Sequence, residues 1–94
     1  MRAARIDANH GEIVKALRKV GATVQSLADV GKGCPDLLIG FRFQNFAVEL
    51  KDGAKPPSER ELTPPQIEWH RTWYGQVGIA YSVDDALRII GAVK

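Results

Sequence analysis

The sequence predicts an α/β layer fold in which a mixed β-sheet is flanked by helices, in the order α-β-β-β-α-β-α. Three segments predict helices because their apolar residues recur at spacings of three and four, and four shorter segments have the apolar or alternating character of strands. Glycine and proline clusters separate several of these segments. The 94 residues suit one domain, so we expect residues 1–94 to form a single unit.

The amino-terminal half begins with a predicted helix from Ile6 to Val20, whose start Asp7 or Asn9 could cap. One apolar stripe marks its buried side: Ile6, Ile13, Leu17 and Val20. A weakly patterned strand follows at residues 22–27. A loop with two glycines and a proline, residues 29–35, then leads to the next strand.

A β-hairpin is predicted next, with strands Leu37 to Phe43 and Phe46 to Lys51 joined by a turn near Gln44-Asn45. Side chains of the second strand alternate between two faces, because strand side chains have a period of two. We expect its apolar face to pack on the core. Glu49 and Lys51 are therefore expected to point together towards the opposite face.

The carboxy-terminal half starts with a polar loop, residues 52–62, that we expect to be mobile. Thr63 is expected to cap a helix that has prolines in its first turn and ends at Gly75. A strand from Val77 to Tyr81 and a helix from Asp84 to Val93, capped by Ser82, complete the chain. The buried side of the last helix is expected to be formed by Ala86, Leu87, Ile90 and Val93.

Composition excludes several classes of protein. The single cysteine, Cys34, permits no disulfide within the chain and cannot form a zinc cage. No apolar run approaches the ~18 residues of a membrane span, and the basic N-terminus lacks the apolar stretch of a signal peptide. We therefore expect a cytosolic protein without a membrane partner. The net charge of +2 neither requires nor opposes nucleic acid.

Two carboxylates and a lysine lie on the predicted hairpin where they could meet. Asp36 precedes its first strand, and Glu49 and Lys51 end its second strand. Such a set could hold Mg²⁺ through oxygen ligands, with the Leu50 carbonyl as a third, beside a phosphodiester. The Lys51 ammonium could hold the attacking water or stabilise charge on the phosphate. Each motif also has an ordinary interpretation, as a turn residue or a solvated ion pair.

Three motifs in this order resemble the PD-(D/E)XK nuclease superfamily and, within it, the VRR-NUC (virus-type replication-repair nuclease) family. They are residues 33–40, GCPDLLIG, residues 48–53, VELKDG, and residues 62–66, LTPPQ. The resemblance covers nearly the whole chain. It implies a restriction-endonuclease-like three-layer core, a Mg²⁺- or Mn²⁺-dependent endonuclease, and a phage or prophage origin in the cytoplasm of a bacterial host.

The resemblance also implies roles for individual residues. Asp36 and Glu49 would be metal ligands, Lys51 the catalytic lysine, Gln66 a helix residue beside the active site, and Glu12 a first-helix glutamate that assists the metal. Two of these positions have structural alternatives. The Thr63-x-x-Gln66 pattern fits a capping box, and the pattern from Asn9 to Glu12 fits a similar cap.

Several other side chains are candidates for contacts with nucleic acid. Basic residues that could contact phosphates are Arg2, Arg5, Lys32, Lys55 and Arg60. Trp69 and Trp73 could stack on bases, although their helical spacing more often marks a core or a subunit interface. His10 and His70 could touch phosphate or metal, but a lone histidine is more often a surface or packed residue. Cys34 has no neighbouring base in the sequence, so a nucleophilic role is not expected.

The expected substrate is DNA recognised by shape, because no base-reading motif is visible. The resemblance implies a homodimer that acts on branched DNA, with a Holliday junction as one candidate, and the two-fold symmetry of such a dimer would match the junction. One candidate for the dimer interface is formed by Trp69, Trp73 and Tyr74. Two alternatives stay open: a module that binds branched DNA without cleaving it, and a phage structural or assembly protein on the same fold.

Overall fold

A four-stranded mixed sheet forms the centre of the molecule. The computed structural model describes residues 9–93. The strands are β1 (Thr23–Ser26), β2 (Leu37–Phe41), β3 (Gln44–Leu50) and β4 (Val77–Ala80), in the sheet order β1-β2-β3-β4. The β1–β2 and β2–β3 pairs are antiparallel, and the β3–β4 pair is parallel. A parallel pair needs a long crossover, and the chain between β3 and β4 supplies it.

The helices are α1 (His10–Lys19), α2 (Pro64–Thr72) and α3 (Val83–Ile89), with a short 3-10 helix at Pro57–Glu59 before α2. The element order α-β-β-β-α-β-α is therefore confirmed. No helix within residues 9–93 has the length and apolar character needed to cross a membrane.

The core lies between one face of the sheet and the helices α1 and α3, which also contact each other. Its largest fully buried side chains include Ile13 and Leu17 of α1, which confirms the central part of the predicted stripe. The sheet contributes Leu37, Ile39, Phe46, Val48, Leu50 and Ala80, α3 contributes Ala86, and Ile90 follows directly after α3. The apolar face predicted for β3 is thus the face that packs on the core.

The amino-terminal end of α2 covers the opposite face of the sheet. This helix has no buried residue, and polar contacts join Gln66 of its first turn to Glu49 and Lys51. The loop before β2 lies against the start of the same helix. The approach is so close that a Cβ atom on Gly33 (φ +83°) would overlap the Pro65 carbonyl. The result is a three-layer arrangement in which the acidic and basic residues of β3 lie between the sheet and α2.

The hairpin turn differs from its prediction. Phe41 pairs with Gln44, so the turn residues are Arg42 and Phe43 rather than Gln44-Asn45. Both have positive φ, 51° and 63°, as a two-residue hairpin turn of type I′ requires. Such turns favour asparagine and glycine, so this pair gave no signal in the sequence. β2 consequently ends at Phe41, and β3 begins at Gln44 and ends at Leu50.

Other predicted element ends also need correction. α2 ends at Thr72 rather than Gly75, and α3 ends at Ile89, which leaves Val93 43% exposed instead of on the buried side. α1 ends at Lys19, so Val20 lies just beyond it and is exposed. Predictions for Arg2, Arg5, Ile6 and Asp7 lie outside the described residues.

Candidate active site

Asp36 is tied to β3 through its side chain. The last backbone pair of the hairpin is Leu37 with Val48, and in that register Leu50 lies opposite Pro35, which has no N–H to donate. The Leu50 amide instead donates to Asp36 Oδ2 at 2.7 Å. The Asp36 carbonyl accepts from the Leu27 amide, also at 2.7 Å, which joins the residue to the end of β1. The position of this carboxylate is therefore fixed from two neighbouring strands.

Glu49 and Lys51 lie together on the face of β3 that turns away from the core. The Lys51 ammonium lies 3.8 Å from Glu49 Oε2, and the side chains are only 14% and 4% exposed. Removing charges from water costs several kcal/mol per ion, so a buried pair contributes little net stability. The interpretation of Glu49 and Lys51 as a solvated surface ion pair is therefore wrong.

Gln66 connects the two charged residues to α2. Its Oε1 accepts from Lys51 Nζ at 3.0 Å and from the Thr63 amide at 2.9 Å. Its Nε2 donates to Glu49 Oε2 at 3.2 Å, while its own amide donates to Thr63 Oγ1 at 3.4 Å. The capping box is therefore present, as one interpretation expected. The same side chain also contacts the charged pair, so the cap and a role in the site are compatible.

Asn9 occupies the N-cap position of α1, but its side chain makes no cap hydrogen bond, which corrects the side-chain cap expected from the Asn9 and Glu12 spacing. Its Nδ2 donates instead to the carbonyls of Lys51 at 3.1 Å and Tyr81 at 3.2 Å. Asn9 thereby joins the start of α1 to the ends of β3 and β4, immediately beside the charged residues. The sequence gave no indication of this contact because it depends on tertiary packing alone.

Glu12 lies on the exposed surface of α1, in a groove that it shares with Asn9, Asp52 and Arg60. Among residues 9–93, no group of three or more His, Cys, Asp or Glu side chains is arranged to hold a metal ion. Glu12 is therefore not assembled with Asp36 and Glu49 into a three-carboxylate site. Its assistance to a metal stays a prediction.

Cys34 and His70, for which the sequence predicted no specific role, lie near the charged residues of the site. Burial, then the charges of Glu49 and of Asp36, raise the pKa of the Cys34 thiol. Burial, then the positive charge of Lys51, lower the pKa of His70, which lies one helical turn after Gln66. His70 Nε2 is buried and has no hydrogen-bond partner within the described part of the chain. The spacing from Gln66 to His70 was the available signal.

The predicted phosphate contacts lie in different surroundings. Lys32, at φ 55° in the loop before β2, and Lys55 are exposed. The Arg60 guanidinium lies 5.7 Å from the centre of the Tyr81 ring, within the groove that contains Glu12. Acidic neighbours thus surround Arg60, so its contact with phosphate stays a prediction, as do those of Lys32 and Lys55.

The aromatic surface of α2 is largely open. The Trp69 and Trp73 rings stack with centroids 4.6 Å apart, and Trp73 is 53% and Tyr74 99% exposed. Among residues 9–93, Trp69 and Trp73 are not part of the hydrophobic core, so the interpretation of their spacing as a core pattern is wrong for the described residues. An interface or a stacking surface remains for them.

The oxygen atoms of the site suit a hard divalent cation. Leu37 pairs with Val48, so the same register sets Asp36 opposite Glu49 on the neighbouring strand. Mg²⁺ is usually held by one or two carboxylates, with waters completing its shell. A residue in a strand directs its N–H and C=O to the same edge, so the Leu50 carbonyl points to the side where its amide meets Asp36.

The structure resembles a solved structure described as a VRR_NUC domain. The likeness has a TM-score of 0.63 and covers 94% of this chain and 100% of that chain, at 23% sequence identity. No protein-family model matches the sequence, and no curated protein matches it either. The chain therefore has the fold of a VRR_NUC domain, as the three sequence motifs predicted.

Proposed function

We propose that this chain is a Mg²⁺- or Mn²⁺-dependent DNA endonuclease that hydrolyses phosphodiester bonds. The observation that carries the proposal is the buried pair of Glu49 and Lys51, held by Gln66 next to Asp36. A fold alone does not imply an activity, because one fold supports many functions. The proposal therefore depends on these side chains, whose burial is costly and which match the chemistry that a phosphodiester requires.

Asp36, Glu49 and the Leu50 carbonyl would hold the cation, with Glu12 as an additional candidate. A divalent ion bound by them would offset the charge of the phosphodiester and lower the pKa of a bound water. The hydrogen bond from Leu50 to Asp36 limits the rotation of this carboxylate, and the amide of Gln66 orients that of Glu49. Both ligands would therefore be oriented before a cation arrives.

Lys51 would hold the attacking water or the developing negative charge on the phosphate. Its ammonium has three N–H donors. Gln66 Oε1 accepts from one of them, and Glu49 Oε2 lies 3.8 Å away. The closeness of these acceptors keeps the ammonium at a defined position rather than free in solvent. Such preorganised charge is usually the largest single contribution to catalysis of this kind.

The proposed substrate is branched DNA, including four-way junctions, cleaved by a homodimer. Exposed Trp73 and Tyr74 beside the partly buried Trp69 supply an apolar surface that a second copy could cover. Arg5, Lys32, Lys55 and Arg60 are the proposed phosphate contacts. The dimer, the branched substrate and the phosphate contacts are separate proposals, and disproof of any of them would leave the proposed nuclease activity standing.

A cleavage assay with a labelled four-way junction tests the proposal. Wild type should cut the junction with Mg²⁺ or Mn²⁺ and be inactive in EDTA, and Lys51→Ala should bind the junction without cutting it. Lys19→Ala is a matched control, because Lys19 is an exposed lysine on α1 that contributes to none of the contacts described above. A linear duplex of the same sequence measures selectivity for structure. Wild-type binding without cleavage under either metal would support a non-cleaving module instead.

A further inference from the structure

A groove between α1 and the edge strand β1 has the chemistry of a binding site for single-stranded nucleic acid. It has a volume of about 460 Å³, within the range of ligand sites. Its basic side chains are His10, Lys15 and Arg18. Within residues 9–93, no acidic side chain lines it. An anionic ligand is therefore favoured.

The two flanks of α1 differ in charge, which decides where a phosphate chain can lie. The flank that contains Glu12 opens to a groove in which Asp52, Asp84 and Asp85 join it and Arg60 is the one basic lining residue among those described, so a phosphate chain is less favoured there. The flank that contains Lys15 and Arg18 has only basic groups among its ionisable lining residues. A nucleic-acid strand that approaches the candidate active site along α1 would therefore follow the second flank.

Arg18 reaches across this groove to the edge strand. Its guanidinium donates to the Val24 carbonyl of β1 at 3.4 Å, which joins the helix to the edge strand. A guanidinium carries five N–H donors, so this one bond to a carbonyl leaves the other donors available to a ligand. Arg18 also lies one turn beyond Lys15, on the same side of α1. The two residues thus form a rim suited to successive phosphates.

The floor of the groove is apolar. Val14 and Val24 are half-buried, and Leu37 lies beneath them with almost no exposure. Phosphate alone gains nothing from such a floor, whereas the face of a base or a thymine methyl does. The faces of bases in a duplex are covered by their stacked neighbours. An unpaired stretch is therefore the form of nucleic acid that could use both the rim and the floor.

One end of the groove lies at the end of the sheet that carries the candidate active site, although the groove opens on the core side of the sheet and Glu49 and Lys51 lie on the opposite face. The first residue of the groove, His10, follows Asn9, which bonds the Lys51 carbonyl, and Leu37 in its floor follows Asp36. From His10 to Arg18 the helix advances about 12 Å, the length of roughly three to four stacked nucleotides. We propose that this groove binds an unpaired nucleic-acid strand, with phosphates on Lys15 and Arg18 and a base on the Val14 and Val24 floor.

The proposal names part of the substrate and rests on the proposed function for its biological meaning, but binding is measured without metal. Fluorescence anisotropy of labelled oligothymidylate in EDTA, at several salt concentrations, should show weaker binding for Lys15→Gln and Arg18→Gln. The slope of the logarithm of the binding constant against the logarithm of salt concentration should become shallower by about 0.7 for each phosphate contact that a variant removes. Lys19→Gln, an exposed neighbour outside the groove lining, is the matched control and should bind as wild type.

Two further ligands test the floor and the class of ligand. An abasic oligonucleotide of equal length should bind more weakly than oligothymidylate, and an acidic peptide of equal charge should not displace the oligonucleotide. Equal effects of Lys15→Gln, Arg18→Gln and Lys19→Gln would overturn the proposal, as would equal binding of the abasic strand or displacement by the peptide. Groove-dependent binding by a chain that never cleaves DNA would overturn the endonuclease proposal and leave this one standing.

Discussion

The Asp36 carboxylate accepts a hydrogen bond from the Leu50 amide at 2.7 Å, so the proposed metal ligand also closes the end of the hairpin. One residue thus serves structure and chemistry, and conservative substitutions can separate the two. Asparagine keeps an oxygen that can accept from the Leu50 amide but removes the charge, whereas alanine removes both.

Asp36→Asn should abolish cleavage while retaining most of the stability. A hydrogen bond to a neutral acceptor contributes about 1 kcal/mol, against about 1.5–3 kcal/mol for a charged acceptor, so the loss should be about 1 kcal/mol. Asp36→Ala should cost about 1–3 kcal/mol because the Leu50 amide loses its partner. Urea unfolding measures both values. Retained cleavage by Asp36→Asn would remove Asp36 from the metal site.

Gln66 combines a helix cap with contacts to the charged pair, and Thr63→Ala tests the cap alone. It removes Thr63 Oγ1 and should lower stability by about 0.5–2 kcal/mol with little change in the single-turnover cleavage rate. Gln66→Glu keeps a side chain that suits a capping box but replaces the donor to Glu49 with a like charge. Gln66→Glu should therefore slow cleavage strongly while changing the free energy of unfolding little. Equal activity of the two variants would leave Gln66 with its capping role only.

The stability of the chain should fall in mild acid partly because of His70. Burial and the charge of Lys51 lower its pKa in the folded state below the ordinary 6.5. As pH falls below 6.5, the unfolded chain binds a proton at His70 before the folded chain does. The free energy of unfolding therefore decreases until the pH is below the pKa of His70 in the folded state, and this contribution then stays constant. Urea unfolding of wild type and His70→Gln between pH 7.5 and 5 should show a shallower decline for the variant. Parallel curves would contradict this role.

Reactivity of Cys34 reports on the neighbouring carboxylates. Burial first, and then Glu49 and Asp36, raise its thiol pKa, and only the thiolate reacts with iodoacetamide. Glu49→Gln removes one negative charge and should move the midpoint of the alkylation rate to lower pH. Glu12→Gln is the control, and an unchanged midpoint in Glu49→Gln would contradict the predicted proximity.

The sequence was most informative where local rules determine position. The β3 alternation placed Glu49 and Lys51 on one face because a strand has a fixed period, and the Thr63 to Gln66 spacing predicted a capping box because its bonds are local. The turn at Arg42 and Phe43 was missed because neither residue favours positive φ.

Contacts set by tertiary packing could not be predicted in the same way. The closeness of His70 to Lys51 depends on how α2 is rotated over the sheet. Nothing in the local pattern of Asn9 distinguishes a helix cap from its bonds to the Lys51 and Tyr81 carbonyls. The burial of Glu49 likewise results from α2 covering a face that the sequence pattern showed only as polar.

The central claim is that Asp36 and Glu49 together hold a divalent cation. A titration with Mn²⁺, in which electron paramagnetic resonance counts the free ion, tests it most directly. Wild type should bind Mn²⁺, and Asp36→Asn and Glu49→Gln should each lose that binding while remaining folded by circular dichroism. Glu12→Gln shows in the same experiment whether Glu12 contributes. Absence of Mn²⁺ binding by wild type, or unchanged affinity in Asp36→Asn and Glu49→Gln, would contradict the account.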